Sequence, residues 1–453
     1  MRTIVDQSSP IVVKEHDWIT ADRMAWMAVI VAFAIRVSLA VYVGLNNPPQ
    51  SGSDSQEYDT YAWNLAQGRG YRGMSADVSD RDHLTAFRPP GPSLLFAGVY
   101  LVAGHRYDAV RIVNCGLASL SVYVIFRLGR RVFPASAALL AAITYAVYPL
   151  AVYQSIDILS EPLGVLLFLL FLDACIAFGF KPTWRTASLA GACLGLSLLT
   201  RSNYVIMIPL LGLWSLWQFR SSWSALFQFA AVFVIAAAFV APWAVRNYFV
   251  FEKFIPLSTL GGSALLQGNN RVVATDPKLV GYCVWDTDIP EYREALRAAG
   301  DEWARDQLAK QFAIRWLKEN PDKLPWLLWN KFARSWTPFL HHNPSRTHWT
   351  IYLLTWGPIL ALFCVGFFTT LGQMLRHNNP GWLLHLAVLH YVINSLVFFA
   401  YIRYRAPIDP ICILFASVAA TNIWTWWCNK SRGPAGAMTP NAESGGCRSP
   451  RPA

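Results

Sequence analysis

Gly52-Ser-Asp-Ser-Gln-Glu-Tyr58 follows a long apolar run, Met24 to roughly Gly44, and opens a polar loop that closes at Arg88-Pro-Pro-Gly91. Three carboxylates, Asp54, Glu57 and Asp59, fall within six positions of one another. A membrane-spanning helix needs about 20 mostly apolar residues, so the run before this stretch reads as a span. The carboxylates then sit at the lip of the membrane, and the rest of the chain repeats the alternation of apolar runs and short polar connections.

Composition agrees. Of 453 residues, 54% are hydrophobic and 14% charged, with a mean hydropathy of +0.32, whereas a soluble domain is about a quarter charged. The chain reads as an all-α polytopic membrane protein. A net charge of +11 fits cytoplasmic loops facing anionic lipid, and no nucleic-acid module is visible. The eight cysteines form no CxxC pair, so neither a disulfide framework nor a zinc site is suggested. With no GxxxxGK[ST] or HExxH motif, ATP hydrolysis and zinc-protease chemistry have no support.

Spans are expected at 24–44, 109–126, 133–150, 161–180, 186–200, 203–219, 224–245, 350–372, 381–400 and 406–427. Segment 89–104 is short and starts Pro-Pro-Gly-Pro, so it is expected to lie in the interface. The basic connections 127–131, 181–185, Phe219-Arg220, Leu375-Arg376-His377 and the tail from Lys430 share one side under the positive-inside bias. About ten spans with both termini inside result. Residues 1–23 form a cytoplasmic segment, and 24–245 a transmembrane core whose first outer loop (45–105) carries the carboxylates. Residues 246–349 form an outer-face region with a charged helix from Glu291 to Glu319 and a Trp-rich interfacial helix from Trp326 to His342. Helices over 350–427 and a disordered cytoplasmic tail over 428–453 complete the chain.

This topology puts Arg201, Arg246, Arg403 and Arg405 at outer ends of spans, against the charge bias. An arginine near the membrane carries an insertion cost, up to ~2.5–3.5 kcal/mol at a helix centre, so these are expected to have anionic partners. Snorkelling to lipid headgroups is the bland alternative for any one of them. Arg36 and Asp173, inside apolar runs, are expected to pair with each other or with backbone. Gly191 and Gly195 form a small-xxx-small pattern that packs helices. His341-His342 at a Trp-rich interface reads as a polar boundary rather than a metal site.

Gly52-Ser-Asp54 with Tyr58, Asn64, Gly68 and Gly70-Tyr71, then Arg88-Pro-Pro-Gly-Pro92, Ser160-Glu161-Pro162, Thr200-Arg201, Pro242-Trp243 with Arg246-Asn247, Gly268-Asn-Asn270 and Arg403-Tyr404 resemble, in order and spacing, the family 39 type of GT-C glycosyltransferases. That group includes protein O-mannosyltransferases and bacterial aminoarabinose and lipopolysaccharide-core sugar transferases. The resemblance implies a GT-C fold and an inverting enzyme that moves one sugar from a polyprenyl-phosphate carrier to a glycan, glycolipid or protein acceptor. It further implies a bacterial inner membrane, with the site facing the periplasm. A polysaccharide ligase or polymerase, or a lipid-sugar flippase, is the alternative; polar chemistry piled at one face and no half-to-half similarity disfavour a transporter.

Residue roles follow from that chemistry. A phosphate is already a good leaving group, with a second pKa near 6, so one carboxylate acting as base suffices where a glycosidase uses two. The resemblance makes Asp54 that base, with Glu57 as local alternative, and makes Glu161 the second acidic motif, supported by Asp157. Glu161 simply capping its helix is the alternative. Arg403, Arg405, Arg201 and Arg246 are expected at the carrier phosphate, where preplaced guanidiniums stabilise developing negative charge. Arg88, Asn247, Asn269 and Asn270 are expected to position the loop or acceptor. No cofactor is certain. A divalent cation, held by Asp54 and Glu161, stays open, because scattered carboxylates are not a ligand-spacing signature.

Overall fold

The computed structural model describes residues 15–73, 83–337 and 346–431. Residues 1–14, the His341-His342 end of the expected interfacial helix and the tail from 432 lie outside the described residues. The helices are α1 (Glu15–Val43), α2 (Asp54–Ala66), α3 (Gly91–Ala103), α4 (Tyr107–Val132), α5 (Ala135–Val147), α6 (Pro149–Ser155), α7 (Glu161–Phe180), α8 (Trp184–Thr200), α9 (Met207–Gln218) and α10 (Trp223–Phe251). They continue with α11 (Gly261–Gly268), α12 (Arg271–Thr275), α13 (Arg293–Arg297), α14 (Glu302–Glu319), α15 (Leu324–Ser335), α16 (Arg346–Arg376), α17 (Leu383–Val397), α18 (Ile402–Arg405) and α19 (Asp409–Ser431). Among the described residues there is no strand, only a single antiparallel bridge between Arg72 and Leu84.

Each of the ten expected spans is helical. Among the described residues seven helices are long and apolar enough to cross a membrane, or eight if α5 and α6, bent by 54°, count as one span. The 17-residue α8 and the 12-residue α9 fall short of that length. Side chains such as Met27, Ile30, Phe227 and Phe249 stand exposed on the bundle surface, as lipid-facing residues must where there is no water to avoid. The chain is a multi-pass membrane protein. Helices α4, α7, α8 and α10 pack in succession, and α16, α19 and α5 form a second row joined to the first through α4. Gly191 and Gly195 seat α8 on α10: an added Cβ would lie 2.8 Å from Val232 O and 2.9 Å from Ala236 O.

The buried charges sort to opposite ends. Asp173 pairs with Arg131 at 2.6 Å and Arg127 at 2.9 Å at the basic end. Arg36 instead donates to the carbonyls of Ala32 (3.1 Å) and Ala146 (2.8 Å). Of the two pairings expected for Arg36, backbone is the one found, and Asp173 has cationic partners of its own.

At the other end, α2 and α3 form a hairpin that buries Tyr58, Ala62, Phe96 and Tyr100 with Ile158. Helix α2 starts where the loop sequence allows it: the Ser53 hydroxyl accepts the Gln56 N–H, an N-cap arrangement that satisfies an orphan donor. Gly91 lies so close to the end of α8 that a Cβ would sit 2.7 Å from Leu199 O. Arg88 and Arg201, on either side of this approach, line one cavity.

The single charged helix expected over Glu291–Glu319 is two helices. The chain leaves α13 at Ala298, passes Gly300, and restarts as α14, where the Asp301 carboxylate caps the Ala304 N–H at 2.7 Å. The restart has a use. Glu302, in the first turn of α14, accepts from Thr85 Oγ1 (2.7 Å), Ala86 N (2.7 Å) and Thr259 Oγ1 (2.9 Å), tying region 246–337 to the loop that carries Arg88.

Candidate active site

Asp54 opens α2, and Glu57, three residues on, lies on the same helix face. Both point at Arg88: its Nη2 donates to Asp54 Oδ1 at 2.7 Å, and its Nε to Glu57. The other Asp54 oxygen accepts from Arg403 Nη1 at 2.9 Å, and Arg403 Nε donates to Glu161 Oε1 at 2.7 Å. Arg201 reaches the same Glu161 oxygen at 3.3 Å and donates to Ser160 Oγ at 3.2 Å. Three carboxylates and three guanidiniums, up to 349 positions apart in the chain, thus form one run of contacts, and Arg201 and Arg403, two of the arginines at disfavoured span ends, have their anionic partners in it.

Electrostatics follow the geometry. Burial pushes the Asp54 carboxyl upward, but the charges of Arg88 and Arg403 and the Arg403 hydrogen bond outweigh it and hold the group at about 2. Burial lowers Arg88 and Arg403, yet Asp54 with Glu57, and Glu161 with Asp54, keep both well above the ordinary guanidinium value. All three stay charged at neutral pH.

Two cavities flank this chain. The first, about 320 Å³, is walled by Asp54, Arg88, Arg201 and Arg403 at one side and by Leu257, Leu260, Phe398 and Phe399 at another. The second, about 440 Å³, is bounded by the end of α1, the first loop, Arg111, Gln154 and Asp157. Asp54, Tyr401 and Arg403 line both. Asp157 therefore belongs to the second cavity, where it accepts from Ser55 Oγ at 2.8 Å and stands 3.6 Å from Arg111.

Several expected site residues lie elsewhere. Arg405 is fully buried, paired with Asp409 at 2.7 Å, donating to Thr337 O and lying 3.6 Å over the Trp356 ring. Residues two apart on a helix do not share a face, so α18 sends Arg403 to the cavities and Arg405 into the core. Removing one member of a buried ion pair costs about 3–5 kcal/mol. Arg405→Leu is accordingly expected to lower the thermal unfolding temperature of the purified protein by several degrees, and an unchanged transition would contradict the structural role.

Arg246 donates to Thr85 O (2.8 Å) and Tyr71 O (3.0 Å), bracing the Arg88 loop from behind. Asn247 donates to Ile255 O, and Asn270 caps α12 by accepting the Val273 N–H. Asn269 donates to Val397 O at 2.9 Å and accepts from Lys331 Nζ at 2.8 Å. None of these four lines either cavity. They act on backbone, as Asn does wherever a loop carbonyl or helix end needs a partner.

Lys331 is the unexpected member. It is fully buried on α15, donating to Asn269 and to Leu396 O at 3.1 Å, and so fastens the end of α17 just before Arg403. Burial alone pulls its amine down to about 7. Between pH 7 and about 10.5 the unfolded chain binds this proton and the folded one does not, so stability rises with pH across that window. Lys331→Met is expected to flatten this rise, by up to about 1.4 kcal/mol per pH unit, in thermal unfolding measured at stepped pH.

The open divalent cation finds no fitting ligand set: Arg403 already bridges Asp54 and Glu161, and no group of three His, Cys, Asp or Glu that could hold an ion occurs among the described residues. The sequence gives no site role to Tyr58, Tyr401, Tyr404 or Asn394, which line the first cavity, although Tyr58 and Tyr404 stand within the motifs that carry the resemblance. The tyrosines stand beside the quoted charges and could have been found there. Asn394 lies in an apolar span that also carries His385, His390 and Ser395, and nothing in the sequence sets it apart from them.

Residues 87–245 match the family model of dolichyl-phosphate-mannose-protein mannosyltransferase. No curated protein sequence matches. Among solved structures, oligosaccharyltransferase AglB from Archaeoglobus fulgidus, in complex with an inhibitory peptide and a dolichol-phosphate, superposes with a TM-score of 0.58 at 13% identity, over 94% of this chain and 53% of that one. The apo oligosaccharyltransferase of Archaeoglobus fulgidus gives 0.57 at 13% identity, over 90% and 51%. ArnT from Cupriavidus metallidurans bound to undecaprenyl phosphate gives 0.39 at 12% identity, over 94% and 82%. This chain spans about half the length of the oligosaccharyltransferase chains it matches. It carries the fold of the GT-C membrane glycosyltransferases, with residues 87–245 matching their dolichyl-phosphate-mannose-protein mannosyltransferase family.

Proposed function

We propose that this protein transfers a single sugar from a polyprenyl-phosphate carrier to a glycan, glycolipid or protein acceptor on the non-cytoplasmic face of a bacterial inner membrane. The observation that carries this reading is the wall shared by the two cavities, where Asp54 is clasped between Arg88 and Arg403. Two substrates need two chambers meeting at the reacting bond. The first cavity, with three guanidiniums and an apolar flank, suits a phosphate bearing an isoprenoid tail. The second, with Asp157, Gln154 and Arg111, suits a polar acceptor.

Asp54 held at about 2 is a weak base in the resting protein. A carrier phosphate in the first cavity competes for the same guanidiniums and loosens their hold on Asp54, which raises its affinity for a proton when an acceptor hydroxyl arrives. As the sugar–phosphate bond opens, electrons leave with the phosphate and Arg403, Arg88 and Arg201 meet the growing charge. The hydroxyl oxygen bonds to the anomeric carbon from the opposite side, with inversion, and its proton passes to Asp54. Glu161, buried and paired, holds Arg403 and Arg201 in place.

The decisive test is deletion in the source organism, followed by mass analysis of surface glycolipids and glycoproteins. Loss of one defined sugar from one class of molecule is expected; an unchanged profile would contradict the reading.

A further inference from the structure

Asn394 sits one turn before the end of α17 and lines the arginine-walled cavity. It is only 2% exposed, and its side-chain oxygen is buried with no hydrogen-bond partner. A buried polar atom left unpaired costs free energy comparable to a lost hydrogen bond, and such atoms are rare enough that each calls for a reason. Other side-chain atoms among the described residues are buried without a partner too, His390 Nδ1 one turn earlier on the same helix among them, but of these residues only Asn394 lines the arginine-walled cavity.

An oxygen acceptor can be satisfied only by an O–H or N–H donor. On the proposed carrier, the phosphodiester has acceptors alone and the isoprenoid has neither; the hydroxyls of the sugar are the donors that remain. We infer that Asn394 is a specificity-determining residue that accepts a hydrogen bond from a hydroxyl of the transferred sugar. This rests on the donor reading of the first cavity. It separates that cavity into two functions: guanidiniums that hold the phosphate of any carrier, and a carboxamide that distinguishes a loaded carrier from a spent one. A site built to pair a substrate hydroxyl discriminates strongly against a ligand lacking it, because its own buried atom is then left unpaired.

The test uses the full chain in detergent, with undecaprenyl phosphate and a panel of the same carrier bearing a neutral hexose, a neutral pentose or an aminopentose, and thermal unfolding as readout. Wild type is expected to bind bare carrier, and at least one loaded carrier more tightly. Asn394→Leu, of similar volume and without polar atoms, is expected to bind bare carrier as wild type does while losing about tenfold toward the preferred loaded carrier. Asn394→Asp, which keeps the acceptor, is expected to retain the preference. If Asn394→Leu keeps the full preference, or wild type never prefers a loaded carrier, the inference falls. If wild type fails to bind any carrier, bare or loaded, the donor reading itself falls. Should Asn394→Leu not fold, Asn394→Ala, which also lacks the acceptor, and Asn394→Asp, which keeps it, carry the same comparison.

Discussion

Asp54→Asn is expected to reduce sugar transfer by roughly 10²- to 10⁴-fold, the range for loss of a general base, while leaving the protein folded and able to bind carrier. Folding should survive because neither guanidinium is orphaned: Arg88 keeps Glu57, and Arg403 keeps Glu161. The amide retains the shape of the carboxylate and an oxygen toward one arginine, but it cannot take a proton. The sign of the pH effect also follows. With the Asp54 carboxyl held near 2, below its ordinary 3.8, its contribution to stability is complete above about pH 4 and is lost as pH falls toward 2. Asp54→Asn should remove that acid sensitivity, lowering the unfolding temperature near pH 7, where the wild-type contribution is complete, and converging with wild type as pH falls toward 2. Purified mutant with wild-type transfer rates would eliminate Asp54 as base.

Arg403 gives the second large effect, and it differs in kind. Its guanidinium joins Asp54 and Glu161 through two different nitrogens, at 2.9 and 2.7 Å. Arg403→Ala removes both contacts and leaves Glu161, 2% exposed, with Arg201 alone at 3.3 Å. Both activity and stability should fall: roughly 10²- to 10³-fold in transfer, the range for losing one charge-stabilising donor, and about 3–5 kcal/mol for breaking a buried pair. Arg403→Lys should recover part of the stability and little of the activity, since an ammonium is a point charge that cannot reproduce the fork. A double-mutant cycle with Glu161→Gln, read by thermal unfolding and by transfer rate, separates the two effects. Additive losses would mean that the bridge is not a functional unit.

How much of this was legible in the chain depends on how local each cause is. The apolar runs and the acidic loop were readable because a span has a fixed length and a carboxylate beside it stands out. The meeting of Asp54 with Arg403 was reachable from charge sidedness, which brought both to one face. The separate fates of Arg403 and Arg405 were not, because they turn on the rotational phase of α18, a four-residue helix. Arg246 is expected at the carrier phosphate, and Asn247, Asn269 and Asn270 are expected to position the loop or acceptor; that all four bond backbone carbonyls is a distinction that requires knowing where the backbone lies. The break before Asp301 was visible as Gly300-Asp301, a cap pattern masked by continuous charge. Lys331 and Asn394 carry no sequence pattern; what sets them apart is burial, which only packing reveals.

The central claim is that the carrier phosphate docks among Arg88, Arg201 and Arg403, beside Asp54. The most direct measurement is a structure of the protein with undecaprenyl phosphate bound. Phosphate oxygens within about 3 Å of those guanidiniums, inside the first cavity, are the predicted result. A phosphate seated in the second cavity or away from Asp54 would contradict it.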